Sequence, residues 1–404
     1  MAFPVLARHA DQAGRWAAIA LGVSIPFSVA LDNVLLALVL AGWLASGAYR
    51  EKISLVGRNR VCAAALVLLA LLAAGMLYGE QAPGDAVSYF KKYLDLLFIP
   101  VFAYLFRDAA TRRNGLLALA ISLAVTLLLS LSLKFGALPA NALMTGDAVS
   151  PTVFKLSLTH NILMAFGAFL FAWLAATATT VRVKYVWSIG AILAIINVSM
   201  MVQGATGYLI LGGLVLLFGY GRGHWRGLGI ASLAVALTAA ALAWVPGPFK
   251  ERIGRIDQEL RGWEARQPQS TSIGLRLEFY RNTMNLIREH PLAGVGTGGF
   301  PKAYADAVRA TGMAPTRNPH NEFLHIAVQL GPLGLAALLG VFWQQWRLSS
   351  RLAAPVEREI ARGLVAMMVI GCMYNSMLLD HTEGLFFAWL TGLLYGGLQF
   401  KGDG

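Results

Sequence analysis

Residues able to do chemistry gather around Asn318-Pro319-His320-Asn321 and the arginines upstream of it. An imidazole changes charge near neutral pH, so His320 suits a general base wherever a hydroxyl has to lose its proton. Arg276 follows Gly274 at the expected start of a helix, and Tyr280, four residues on, shares its face. A guanidinium fork fits the paired oxygens of a diphosphate better than an ammonium does. Arg281 and Arg288 are seven apart and share another face; phosphate contact and ordinary solvated charge compete for both. Lys91 and Lys92 precede Asp95, and Lys92 either neutralises Asp95 three residues away or reaches a phosphate. Asp380-His381-Thr382-Glu383 packs three ionisable groups into one turn between apolar runs, which is costly unless they find partners. Asp380 there either holds an arginine or orients His320. His160-Asn161 reads equally as a satisfied buried pair or a ligand site.

Other chemistries fit poorly. His320 and His325 are five apart, about 140° around a helix, and lack the zinc-protease spacing, so no metal site is expected. Gly294, Gly296, Gly298 and Gly299 follow a helix and lack a phosphate-loop ending, so they read as a tight turn that lets backbones approach. Cys62 and Cys372 lie in or beside apolar runs and read as packing residues.

These groups must be held by membrane helices. The chain has 404 residues, 57% hydrophobic and only 13% charged, where soluble domains carry roughly 25% charged residues. The reading is an all-α polytopic membrane protein with about twelve transmembrane helices, near 16–31, 33–47, 61–78, 88–106, 114–134, 154–177, 185–202, 205–220, 227–245, 324–346, 359–379 and 384–400. The first two form a helical hairpin through Asp32 and Asn33, and no cleavable signal is visible. Three parts follow: spans over 1–245, one large loop over 246–323, and spans over 324–404. No repeat or low-complexity linker divides them.

Alternate connections hold 18 of the 33 Lys and Arg residues, from Arg8 and Arg15 to Lys401, whereas the opposite short connections hold only Lys91, Lys92, Lys134 and Lys155. The positive-inside rule then places both termini in the cytoplasm and the long loop outside; long loops cross regardless of their charge. The same topology accounts for the net charge of +12 without nucleic acid.

Pro246 and Pro248 end the ninth span, and Lys250 to Arg266 carries Phe249, Ile253, Ile256 and Leu260 at near-helical spacing, which predicts an amphipathic helix on the membrane or on the helical body. Gln267 to Thr271 reads as a break. Ser272 then caps a second helix with Leu275, Phe279, Met284 and Ile287 on its apolar side, stopped by Pro291. Pro319 suits a first helical turn, which places His320 at the outer end of the tenth span.

Gly274-Leu275-Arg276, Pro291-Leu292-Ala293-Gly294-Val295-Gly296, Pro319-His320-Asn321 with Leu324 and Gly331, and Asn375-Ser376 through Asp380-His381, in this order and topology, resemble the O-antigen ligase family. These membrane glycosyltransferases join a finished polysaccharide to lipid A–core. The resemblance implies a bacterial inner-membrane enzyme that takes a glycan from undecaprenyl diphosphate at the periplasmic face, with neither metal nor nucleotide cofactor. It carries the family histidine onto His320 and the family arginine onto Arg276. The reading of the residues themselves adds Arg281, Arg288, Lys91 and Lys92 as further diphosphate contacts and Asn321, Asp380, His381 and Tyr280 as supporting residues. Many relatives have Gly-Arg-Thr-Gly where this chain reads Gly204-Ala205-Thr206-Gly207. Either the other cations compensate or the chain is an altered form. An O-antigen polymerase and a protein-glycosylating oligosaccharyltransferase, which often carries more sequence after its last helices, are alternatives of similar chemistry. A lipid-linked glycan transporter fits less well, because it favours charges deep in several spans.

Overall fold

The computed structural model describes residues 2–79, 81–140, 144–264, 272–311 and 313–398, all helices and connections apart from one isolated bridge between Leu352 and Leu398. In chain order the helices are α1 (Ala2–Ser24), α2 (Val29–Ala45), α3 (Tyr49–Arg58), α4 (Arg60–Gly75), α5 (Asp85–Lys92), α6 (Asp95–Leu105), α7 (Ala109–Lys134), α8 (Ser157–Thr177), α9 (Val181–Ile196), α10 (Ala205–Trp244), α11 (Pro248–Glu264), α12 (Ser272–Glu289), α13 (Phe300–Val308), α14 (Glu322–Ser349), α15 (Pro355–Tyr374) and α16 (His381–Tyr395). A π-helical turn, Asn197–Met201, continues α9. Among the described residues, five helical stretches are long and apolar enough to cross a membrane, or six if α2 and α3, bent by 111°, count as one. These apolar helices make it a membrane protein.

Breaks occur where the residues cannot sustain a helix. The α1–α2 hairpin turns at Ile25-Pro26-Phe27, ahead of Asp32 and Asn33, because Ser28 caps α2 by accepting the Leu31 N–H. Within α10, Gly223 and His224 leave helical geometry. The chain doubles back there: a Cβ on Gly227 would lie 2.0 Å from the Gly219 carbonyl, whereas eight residues of straight helix span about 12 Å. The expected spans 205–220 and 227–245 are thus two arms of one hairpin. The expected continuous helix over 88–106 is instead divided at Tyr93-Leu94 into α5 and α6, joined by tight i→i−3 hydrogen bonds such as Leu97 N to Leu94 O at 2.9 Å. The tenth span is also broken, at Gly331 (φ 65°) and Pro332.

That last break explains the glycine-rich turn. Pro332 has no N–H, and Gly331 leaves the helix, so carbonyls in the preceding turn lose their usual donors. The turn replaces them. Val295 N donates to Val328 O at 2.8 Å and Gly296 N to Gln329 O at 2.9 Å, while Thr297 N reaches Gly75 O, at the end of α4, at 2.8 Å. Gly294, with φ 68°, passes so close that an added Cβ would meet the Gln329 carbonyl carbon at 2.5 Å. The expected reading as a close-packing turn holds.

The bundle closes around α16, buried from Thr382 to Tyr395. Its apolar residues run all the way round, as a central helix requires. Phe386 meets Phe166 edge-on at 5.2 Å, Trp389 donates its indole N–H to Ala18 O at 2.7 Å, and Gly392 lies against Phe102 on α6. A smaller cluster of Leu286, Val295, Phe300, Tyr304, Val308 and Val328 seats the 272–308 segment on the end of the bundle.

Candidate active site

The site lies where α12, the segment before α14 and the turn between α15 and α16 meet. Glu259 on α11 anchors the start of α12: it accepts the Ile273 N–H at 3.1 Å and pairs with Arg252 at 2.8 Å. The inward side of α12 carries Phe279, Thr283, Leu286 and Ile287; Met284, expected on the apolar side, is exposed. Ile253 and Ile256 on α11 are also exposed, and the break expected at Gln267 to Thr271, like the side chain of Leu260, lies outside the described residues.

His320 is not in the first turn of α14. Asn321 is the N-cap, its side chain accepting the Leu324 N–H at 3.0 Å, and the helix starts at Glu322. Asparagine caps well, so it stops the helix one residue after the histidine. His320 itself adopts a left-handed backbone, φ 54°, a conformation that strains a residue carrying a Cβ by about 1–2 kcal/mol. Its neighbours hold it there. Asn318 Oδ1 accepts its N–H at 2.8 Å, the Tyr280 hydroxyl donates to its carbonyl at 3.1 Å, and the Phe279 ring stacks on its imidazole at 6.0 Å. Such strain persists where the surroundings over-determine it, often at functional sites.

The segment is stitched to the α15–α16 turn. Ser376 Oγ donates to Asn318 Oδ1 at 2.6 Å, and Asn321 Nδ2 and the Tyr280 hydroxyl both donate to Met373 O, at 3.0 and 3.1 Å. The buried Glu322 carboxylate accepts from Tyr93 at 3.0 Å and from the Leu378 N–H at 2.9 Å. At the far side, Arg317 pairs with Asp85 at 2.7 Å and its carbonyl accepts from Tyr89, which holds α5 alongside.

Arg276, Asp380 and Lys92 act on this centre electrostatically. Burial lowers the His320 pKa and the Arg276 charge lowers it further, while Asn375 and Asp380 oppose them. Burial and the Arg276 charge both favour the neutral form of the ring. Burial raises the Asp380 pKa, countered by Asn375, Lys92 and His320. Asn375 Nδ2 donates to Asp380 Oδ2 at 3.2 Å and so links the carboxylate to the turn.

Of the residues expected at the site, the structure brings together His320, Arg276, Tyr280, Asn321, Asp380 and Lys92. Lys91 is exposed. Arg281 is 69% exposed and only 3.9 Å from Glu278, and Arg288 bonds Asn285 on its own helix at 3.1 Å, so both turn to solvent. Of the two readings of Lys92, the pairing with Asp95 does not form: Asp95 is buried and faces His381 Nδ1 at 3.8 Å. His381 lies instead in a group with Asp95, Asp32 and Lys155. His160 and Asn161 are buried, bonding Asn197 Oδ1 at 3.1 Å and Val202 O at 3.3 Å beneath Gly204 and Gly207. Cys62 and Cys372 are buried and unpaired. Among the described residues no group of three or more His, Cys, Asp or Glu is arranged to hold a metal. Glu322 and Tyr93 escaped notice because an acidic residue opening a helix and a tyrosine in an apolar run are both ordinary.

Residues 191–339, which contain Arg276 and His320, match the family described as O-antigen ligase. The resemblance carried by the motifs is thus borne out over that segment. An uncharacterized protein of Haemophilus influenzae is 25% identical over 117 residues, 27% of this chain and 29% of that protein, so the alignment spans less than a third of the relative. A chain from a solved structure titled "Structural coordination of polymerization and crosslinking by a peptidoglycan synthase complex" aligns with 82% of this chain and 96% of its own length, at 18% identity and a TM-score of 0.47.

Proposed function

We propose that this O-antigen ligase-type membrane enzyme transfers a glycan from undecaprenyl diphosphate to a sugar hydroxyl of lipid A–core. The asymmetry of basic residues between alternate connections supports a periplasmic location, at the inner membrane, for residues 246–323 and the site. One observation carries the reading: the imidazole of His320, held on a left-handed backbone, lies in the field of the Arg276 guanidinium and of Asp380, on which the Lys92 ammonium also acts.

The chemistry follows from that arrangement. A ring nitrogen of His320 accepts the proton of the acceptor hydroxyl as its oxygen attacks the anomeric carbon. The bond from that carbon to the diphosphate breaks, and undecaprenyl diphosphate leaves with the electron pair. Arg276 and Lys92 stabilise the charge growing on the leaving group. Direct attack inverts the anomeric centre. Tyr280 and Asn321 hold the histidine segment, and Asp380 balances the cations and favours the imidazolium once it forms. Both lipids approach sideways between helices. Incubating purified protein with both lipids tests the reading. Glycan appearing on lipid A–core supports ligation, whereas extension of a second undecaprenyl-linked chain without core transfer would make it a polymerase.

A further inference from the structure

We propose that Asn318 is a positioning residue, a clamp whose side-chain carbonyl keeps His320 in its left-handed conformation and ties it to the α15–α16 turn. This rests on the catalytic reading of His320 given above, but its structural half is testable without it. Asn318 Oδ1 takes two donors at once, the His320 N–H at 2.8 Å and Ser376 Oγ at 2.6 Å. Its own carbonyl accepts from Thr316 Oγ1 at 2.9 Å, so the residue is anchored on the chain side as well.

The geometry explains why an amide stands here. A residue two positions before a left-handed one can accept that residue's N–H with a short side-chain oxygen, as in an Asx turn. Pro319 between them removes a competing N–H and restricts its predecessor's backbone, so few other conformations remain. The second donor makes the clamp more than a local turn. Ser376 follows Asn375, whose Nδ2 bonds Asp380, so the same oxygen sets the histidine backbone against the turn that supplies its carboxylate partner. Releasing it lets the imidazole move relative to Asp380 and Arg276 while both remain in place. Transfer then suffers in kcat, because the proton acceptor is misplaced, more than in KM.

The test is a double-mutant cycle read by thermal unfolding of the full chain in detergent or nanodiscs, with Asn318→Ala, His320→Gly and the pair together. Glycine adopts the left-handed conformation without a clamp. Asn318→Ala should therefore lower Tm clearly in the wild-type background and by less than half as much beside His320→Gly, the remainder being the Ser376 bond. Equal losses in both backgrounds overturn the clamp. Asn318→Asp keeps the acceptor oxygen and should restore Tm and hold kcat within about threefold of wild type, whereas Asn318→Ala lowers kcat about five- to tenfold with KM nearly unchanged. An Asn318→Asp protein as impaired as Asn318→Ala also overturns it. Should Asn318→Ala not fold, Ser376→Ala removes one of the two donors and should give a smaller drop in Tm and kcat; no change in either counts against the proposal. Full transfer by His320→Gly with coupling present in the cycle would sink the base assignment and leave the clamp standing.

Discussion

Replacing His320 separates catalysis from folding when the substitutions respect its backbone. His320 sits at φ 54°. Asparagine tolerates that region and glycine adopts it freely, so both remove the base without adding strain. The ring is half-buried and stacked on Phe279, so losing it removes about 1 kcal/mol of packing. Relief of left-handed strain by glycine is of similar size and opposite sign. Tm should thus stay near wild type. A positioned general base contributes roughly 10²–10⁴-fold, about 2.7–5.4 kcal/mol of barrier at 1.36 kcal/mol per decade. The assay incubates purified protein with undecaprenyl-diphosphate-linked glycan and lipid A–core and follows product by gel mobility, under single-turnover conditions to isolate the chemical step. Both variants should lose transfer by that factor while remaining folded. A folded His320→Asn or His320→Gly enzyme within about threefold of wild type refutes the base role.

Arg276→Lys keeps the charge but loses the fork, and transfer should fall by about tenfold or more; an unchanged rate argues against a bidentate phosphate contact. Arg281→Ala and Arg288→Ala, both facing solvent, should leave the rate within about twofold, surface charges of this kind contributing little. Gly294→Ala would put a Cβ 2.5 Å from the backbone of α14 at φ 68°, so a loss of roughly 2 kcal/mol or more is expected, seen as a lower Tm or no folded protein. Because burial and Arg276 lower the His320 pKa, the neutral, active ring persists below its ordinary value of about 6.5. The acid limb of the transfer rate should lie below that pH, and Asn375→Ala, which removes a raising influence, should move it further down; a limb above 6.5 contradicts the assignment.

Apolar runs and their punctuation made much of this protein legible along the chain. Hydrocarbon accepts only helices with satisfied backbones, so long apolar segments announce themselves and prolines and glycines mark their ends. The α11 and α12 helices and the glycine turn were open to such reading. Continuity was harder to foresee. The breaks at Tyr93-Leu94 and Gly331-Pro332 depend on whether another segment takes over the freed backbone groups, and that partner lies far away in sequence, as Val295 and Gly296 do for α14. Side-chain direction was hidden for the same reason. Lys92 joins His320 and Asp380, while Arg281, Arg288 and His381 turn elsewhere. Residue type sets what a side chain is able to do, but only packing sets which neighbours it meets. His320 illustrates the division: its chemistry is intrinsic to imidazole, whereas its strained backbone and its lowered pKa are imposed by Asn318, Tyr280, Phe279 and Arg276.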